Sequence, residues 1–354
     1  MNHTFSSLLL SAAALLAGSL PAQNGSAIYE VTFTSTWSQA THPVDFPSGA
    51  HYSPLIGATH DASTVFWMPG GLATAGIETM AETGGTGPLT AEINAAIQNG
   101  GAERIVSGSG LNSPGSITVR FTAFPSHPKL SIVTMVAPSP DWFVGLNGAD
   151  LLDKNGSWIE SASFPATAWD AGTDSGVTYT SPNLDTNPKE KIAVVSTTQG
   201  PFKGYSTTLG TWTIRRVAST MVYGCGANPK GSMTVNDDAP LLNRSVTFSV
   251  TDPTRSMPMG AQAFLLVASD ADPMFPCGTK VPGLGMAGPS GEVLVGSILG
   301  VLPGGAWMGA PVPFTLFVPN DPAFVGVTAY LQGGLASPLR LGLADAVAVR
   351  MGRQ

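Results

Sequence analysis

Asp170 and Asp174 lie four residues apart in the glycine-punctuated run WDAGTDSG, residues 169–176. Such a loop can fold both carboxylates back onto one hard cation. Calcium takes about six to eight oxygen ligands, and backbone carbonyls can fill the remaining positions. A third acid, Asp141, follows Pro138 and Pro140 in APSPDW, just before a β-rich run at Phe143 and Val144. These three residues are the candidate calcium ligands. Spacing alone leaves a plainer alternative open, in which Asp141 and Asp170 accept turn hydrogen bonds as Asx residues. Asp150, Asp153 and Asp185 are second-choice oxygen donors, each beside a turn residue. In the second domain, Asp237-Asp238 and Asp270 with Asp272 could form another, weaker calcium site.

Other chemistries fit less well. The Asp/Asn rhythm of an EF-hand loop, with its terminal Glu, is missing. The five histidines (His3, His42, His51, His60 and His127) are scattered without the spacing of a zinc site and read as structural or surface residues. Ser107-Gly-Ser-Gly110 has neither the strand–elbow–helix context of a nucleophile nor the lysine of a phosphate loop. Asp170 and Asp174 could serve as a glycosidase pair only across a cleft, and their spacing suits one metal loop better. A binding protein, not an enzyme, is therefore expected. Trp67 in VFWMPGG could expose apolar surface at a loop, although burial is the simpler expectation.

The elements that must hold these residues are short. The chain has 354 residues, with 43% hydrophobic and 11% charged, and it carries 42 glycines and 29 prolines. Its charged fraction is well below the roughly 25% usual for soluble domains. This is the composition of many strands joined by turns. The formal net charge is −7, and no basic footprint for a nucleic acid is present. Residues 1–22, with apolar Leu8–Leu20 and small residues near Ala22, read as a secretory signal peptide too short to span a bilayer. No other unbroken stretch is long enough for a transmembrane helix. Two cysteines, Cys225 and Cys277, in an exported chain suggest a disulfide.

The first domain is expected over residues 23–218. Residues 28–37 (IYEVTFTSTW) alternate as a half-buried strand, and 116–124, 129–137, 191–196 and 210–217 are further strands. One helix is expected over Pro88–Asn99, with proline at its start and Gly100-Gly101 at its end. A second domain, 219–354, carries regularly spaced strand candidates at 245–250, 263–268, 311–318, 324–331 and 345–350. Both domains are expected to be all-β sandwiches, the first with a helical excursion.

Four blocks and their order point further. They are YEVTFTSTW (29–37), THPVDFPSGAHYSPLIG (41–57), APSPDWFVG (137–145) and WDAGTDSGVT (169–178), continued by Ser181-Pro-Asn183. Together they resemble the spondin amino-terminal domain family, over more than half of the chain. The resemblance implies an antiparallel β-sandwich similar to C2 domains, an adhesion role, and a calcium ion held by loops at one end. It also supplies the reason to place Asp141 beside Asp170 and Asp174. Animal members carry cysteines in the segment matching 151–158 and thrombospondin repeats beyond it. This chain has neither, so their matrix or neuronal partners are not inherited. The carboxy-terminal third looks like a Gly- and Pro-rich module at the ends of secreted proteins from environmental, planctomycete-like bacteria. The expected ligand is a surface, matrix, glycan or lipid component outside the cell or on its envelope. The low charge density also permits self-association. Two alternatives are a calcium-stabilised structural protein of the envelope or matrix and, more distantly, a polysaccharide-active enzyme.

Overall fold

The computed structural model describes residues 25–236 and 239–354; the leader read from residues 1–22 and the Asp237-Asp238 pair lie outside the described residues. The first part of the chain forms β1 (Ala27–Ser35), β2 (His51–Tyr52), β3 (Leu55–His60), α1 (Ala75–Thr83), α2 (Gly87–Gln98), β4 (Ala102–Gly108), β5 (Leu111–Asn112), β6 (Gly115–Ala123), β7 (Lys129–Ala137), β8 (Trp142–Asp150), β9 (Ser161–Asp170), β10 (Ala193–Val194) and β11 (Thr208–Tyr223). Then follow β12 (Met233–Val235), β13 (Arg244–Val250), β14 (Ala261–Ala268), β15 (Thr279–Pro282), β16 (Ser290–Val293), β17 (Ile298–Trp307), β18 (Val312–Val318), β19 (Thr328–Ala336) and β20 (Leu341–Arg350). The architecture is largely antiparallel β and sandwich-like.

The alternation of β1 explains its place. Tyr29, Val31 and Phe33 are fully buried, while Glu30, Thr32 and Thr34 face outward. β1 pairs with β6 on one side and β11 on the other. A second run, β4–β3–β7–β8, lies across the core from it. β7 is nearly continuous in its apolar residues because both of its faces are covered. Leu130, Ile132 and Val136 join Tyr29, Phe33 and Trp212 in the central core. Val133, Met135 and Ala137, on the opposite face, pack with Ile77 and Met80 of α1 and Leu89 and Ile93 of α2. The helices therefore form a third layer. α2 matches the expected helix to within one residue at each end, whereas α1 was not expected. Its start is capped by Thr74, whose hydroxyl accepts from the Ile77 N–H, and Gly84 ends it in the left-handed conformation.

β9 links the two runs of strands. Its first residues, Ser161–Thr167, pair with β11, and Ala168–Asp170 pair with β8. The crossing delivers Asp170 to the end of the second run. β11 is longer than the strand expected to end at 217. It continues through position 218, and its residues Ser219–Tyr223 pair with β20. The large sheet of the carboxy-terminal part, β17–β14–β19–β20, is thus continuous with the first part through one strand. A smaller sheet, β12–β13–β18, packs its Val246, Phe248 and Phe314 into a core shared with Leu265, Leu331 and Val347. The Cys225–Cys277 disulfide is present and closes a span of 52 residues within this part.

Candidate functional site

The acidic loop is set by two strand ends. Trp142 pairs with Asp170, and the Asp141 carbonyl accepts from the Ala171 N–H at 3.2 Å. This brings Asp141 against a loop more than thirty residues away in sequence. Its Oδ2 accepts the Thr173 N–H at 2.7 Å, the Asp174 N–H at 3.1 Å and the Thr173 hydroxyl at 3.3 Å. Its Oδ1 has no donor, although Asp141 is completely buried. Such an atom is costly unless a proton or a cation meets it. Burial, with the Asp170 charge adding to it, pushes the Asp141 carboxyl up to about 7.

Asp170 accepts the Gly172 N–H at 2.9 Å. Burial raises its carboxyl above the usual range, and the charges of Glu190 and Asp174 act the same way. The Gly172 N–H and the nearby Trp142 indole oppose the shift. Asp174 directs Oδ1 to the Gly176 N–H at 2.7 Å and Oδ2 to the Leu184 N–H at 3.1 Å. Gly172 is needed for the turn. Its φ is +73°, and a Cβ there would stand 2.5 Å from the Glu190 carbonyl oxygen. Asp170, Asp174 and Glu190 line a recess of about 220 Å³, with Asp141 buried beside it. Among the described residues, no lysine or arginine closes an ion pair on any of these four acids.

The donor set is all oxygen and electronegative, which suits a hard divalent cation. The side chains do not form a closed cage by themselves. Among the described residues, three candidate ligand atoms approach within 4.8 Å of one another only at Cys225, Cys277 and Glu292. There the sulfurs are spent on the disulfide. An ion at the recess would therefore need backbone carbonyls or water beside Asp141 and Asp170.

Glu190 and Glu82 were not among the candidates from sequence. Glu190 sits on the strand-like return beside Gly172, and Glu82 lies on α1 near the Thr173 hydroxyl. Burial raises the Glu82 carboxyl, and the charges of Glu78, Asp174 and Asp185 add to it. The second-choice donors separate. The backbone of Asp185 pairs with that of Asp174 in an isolated β-bridge. Asp150 pairs with Lys129 at 2.6 Å in the open, and Asp153 caps its own turn through Asn155 and Ser157. Asp270 holds the Ser297 N–H, and Asp272 holds the Met274 N–H and the Thr279 hydroxyl. Trp67 is buried against Phe143 and Trp169, and its indole donates to the Leu146 carbonyl at 3.2 Å.

The Spondin_N family model matches residues 27–206, just over half of the chain. The chain belongs to the Spondin_N family. Members of this family are structural and adhesion proteins rather than enzymes, in agreement with the expectation of a binding protein. Human Spondin-1 is 37% identical over 185 residues, covering 50% of this chain and 23% of Spondin-1. Chicken Spondin-1 is 36% identical over the same length. Human Spondin-2 is 35% identical over 178 residues, covering 48% of this chain and 52% of Spondin-2. The chain thus spans about a quarter of Spondin-1 and half of Spondin-2. The Spondin_N match contains Asp141, Asp170, Asp174 and Glu190 and stops just before β11. No helix among the described residues is long and apolar enough to cross a membrane.

Proposed function

We propose that the protein is an exported adhesion protein whose acidic recess takes a calcium ion, with Asp141 and Asp170 as inner donors and Asp174 positioning the loop. The observation that carries this reading is the buried Asp141 Oδ1, which lacks a donor beside a second carboxylate whose charge is also disfavoured. Calcium would neutralise both groups. It would also fix the Trp169–Gly176 loop at one end of a C2-like sandwich over residues 23–218, preceded by a cleaved leader at 1–22. Residues 219–354 would form a second, sandwich-like module of the kind found in secreted bacterial proteins. A rim-facing calcium can bridge to an acidic group on a surface, matrix, glycan or lipid.

The test is retention of the full mature chain on extracellular polysaccharide and on anionic vesicles, at about 1 mM calcium, a level matching extracellular calcium modules. Retention in calcium with release by chelator supports adhesion. Calcium-dependent melting without retention on any surface supports the second reading, in which the ion only stabilises an envelope or matrix protein.

A further inference from the structure

A second polar site lies where the two parts of the chain meet. β11, β20 and β19 form its floor. Ser219 pairs with Arg350, and Arg350 with Thr328; one step along, Met221 pairs with Ala348, and Ala348 with Tyr330. Above this floor is a trough of about 190 Å³. Arg216 and Arg350 enter it, and Phe275 and Tyr330 line its other side. Phe275 is 40% exposed and packs against Tyr223, ring centroids 4.8 Å apart. Its loop is tied down two residues later by the Cys277 disulfide.

The charges in the trough are unequal. Arg216 Nη2 meets Glu160 Oε2 at 2.9 Å, and Arg350 Nη2 meets Glu160 Oε1 at 2.6 Å. Two guanidiniums thus share one carboxylate. The Glu160 side chain is 56% exposed, against 17% and 23% for the arginines. The Nε–H of each arginine is buried and has no acceptor. Guanidinium forks match planar or tripod oxyanions, and an excess positive charge favours a second anion. Thr328 and Tyr330 offer hydroxyls that both donate and accept, and Ser219, whose oxygen already accepts from Arg216 Nη1 at 3.5 Å, keeps its hydrogen to give. Phe275 offers an apolar ring face.

We propose that this trough binds an acidic sugar unit of a polysaccharide. The carboxylate or sulfate would lie on Arg216 and Arg350, the ring on Phe275 and Tyr330, and the sugar hydroxyls on Ser219 and Thr328. The volume is below the roughly 300–1,000 Å³ of sites for drug-sized ligands, so it takes one ring rather than several. A zwitterionic ligand fits less well, because Glu160 is already engaged by both arginines. The trough is separate from the acidic recess, so its binding does not require calcium.

The experiment is titration calorimetry on the full mature chain in chelator. Three probes are used: hyaluronan hexasaccharide, chondroitin 4-sulfate hexasaccharide and neutral cellohexaose. The acidic probes bind and cellohexaose does not, and the better of the two identifies the anion. Arg350→Gln weakens binding by about tenfold, the scale of one charge-assisted contact. Phe275→Ala weakens it by a few-fold without touching an ion pair. Glu160→Gln removes the competing carboxylate and tightens binding several-fold. Added salt weakens all of it. Melting curves establish that each variant is folded; if Arg350→Gln is not, the other two variants decide the matter. The proposal is overturned if no acidic probe binds at millimolar concentration or if cellohexaose binds equally well. It is also overturned if Glu160→Gln loses affinity, since Glu160 and the arginines would then be only a latch between the two parts.

Discussion

Two buried aspartates, one in each part of the chain, show opposite solutions to the same problem. Asp252, in the carboxy-terminal part, is 2% exposed, and both of its oxygens are used. Oδ1 accepts from the Thr254 N–H and hydroxyl, and Oδ2 from the Met257 N–H and the Ser256 hydroxyl. Burial works against its charge, but the hydrogen bonds from Thr254, Met257 and Ser256 outweigh burial and hold the carboxyl below the usual range. Asp141 receives three donors against the four of Asp252, yet all three converge on Oδ2, and its neighbour is another carboxylate. Its charge is left unsettled. A buried carboxylate is therefore not a signal of a site by itself. The distribution of donors over its two oxygens, and the sign of its neighbours, distinguish a finished turn from one whose charge is left unmet.

The comparison can be broken most easily at Asp252. Asp252→Ala removes four hydrogen bonds, one of them from the buried Met257 N–H, and should cost about 3 kcal/mol in denaturant unfolding, with or without calcium. A loss below experimental error would mean that the turn does not depend on its carboxylate. Asp141→Asn should act in the other direction. At pH 8 in chelator it removes a disfavoured charge and should raise stability by about 2 kcal/mol.

The pH dependence sharpens the contrast. Asp141 has a raised folded value, so its native state holds a proton that the unfolded chain releases. Its favourable contribution is full below about pH 4 and is lost as pH rises towards 7. The gain from Asp141→Asn should accordingly vanish near pH 4. Asp252 has a lowered value, so its contribution is present above about pH 4 and is lost as pH falls through its folded value. Asp252→Asn should flatten the acid limb of the stability profile by about 1 kcal/mol, the smallest of these effects. Parallel profiles for the two variants would contradict the distinction.

Much of this arrangement was legible along the sequence, and the rest had physical reasons to be hidden. β1 announced itself because Tyr29, Val31 and Phe33 alternate with polar residues. α2 did so through Pro88 and its apolar stripe. α1 is only nine residues long, begins Ala-Gly, and buries only Gly76, Ile77, Met80 and Ala81, so its periodicity is faint. β17, exposed over most of its length and interrupted by Pro303, Gly304 and Gly305, lacks the alternation that marks a half-buried strand. That Asp170 and Asp174 share one turning segment was visible as a glycine-rich loop. The contact of Asp141 with Thr173 depends on β8 and β9 lying side by side, which no local pattern encodes; only the family resemblance suggested it. Glu82 and Glu190 reach the same region from a helix and a return segment, so nothing in their own neighbourhoods marked them. The continuity of β11 across position 218 was hidden for a similar reason. The partner strand that extends it, β20, lies at the far end of the chain.

The most direct measurement is calorimetric titration of calcium into the full mature chain, beside Asp141→Asn and Asp170→Asn proteins of unchanged fold. The account predicts one saturable site in the native chain, a higher melting temperature on binding, and loss of both in each variant. No heat at millimolar calcium, or undiminished binding in the Asp141→Asn protein, would contradict it.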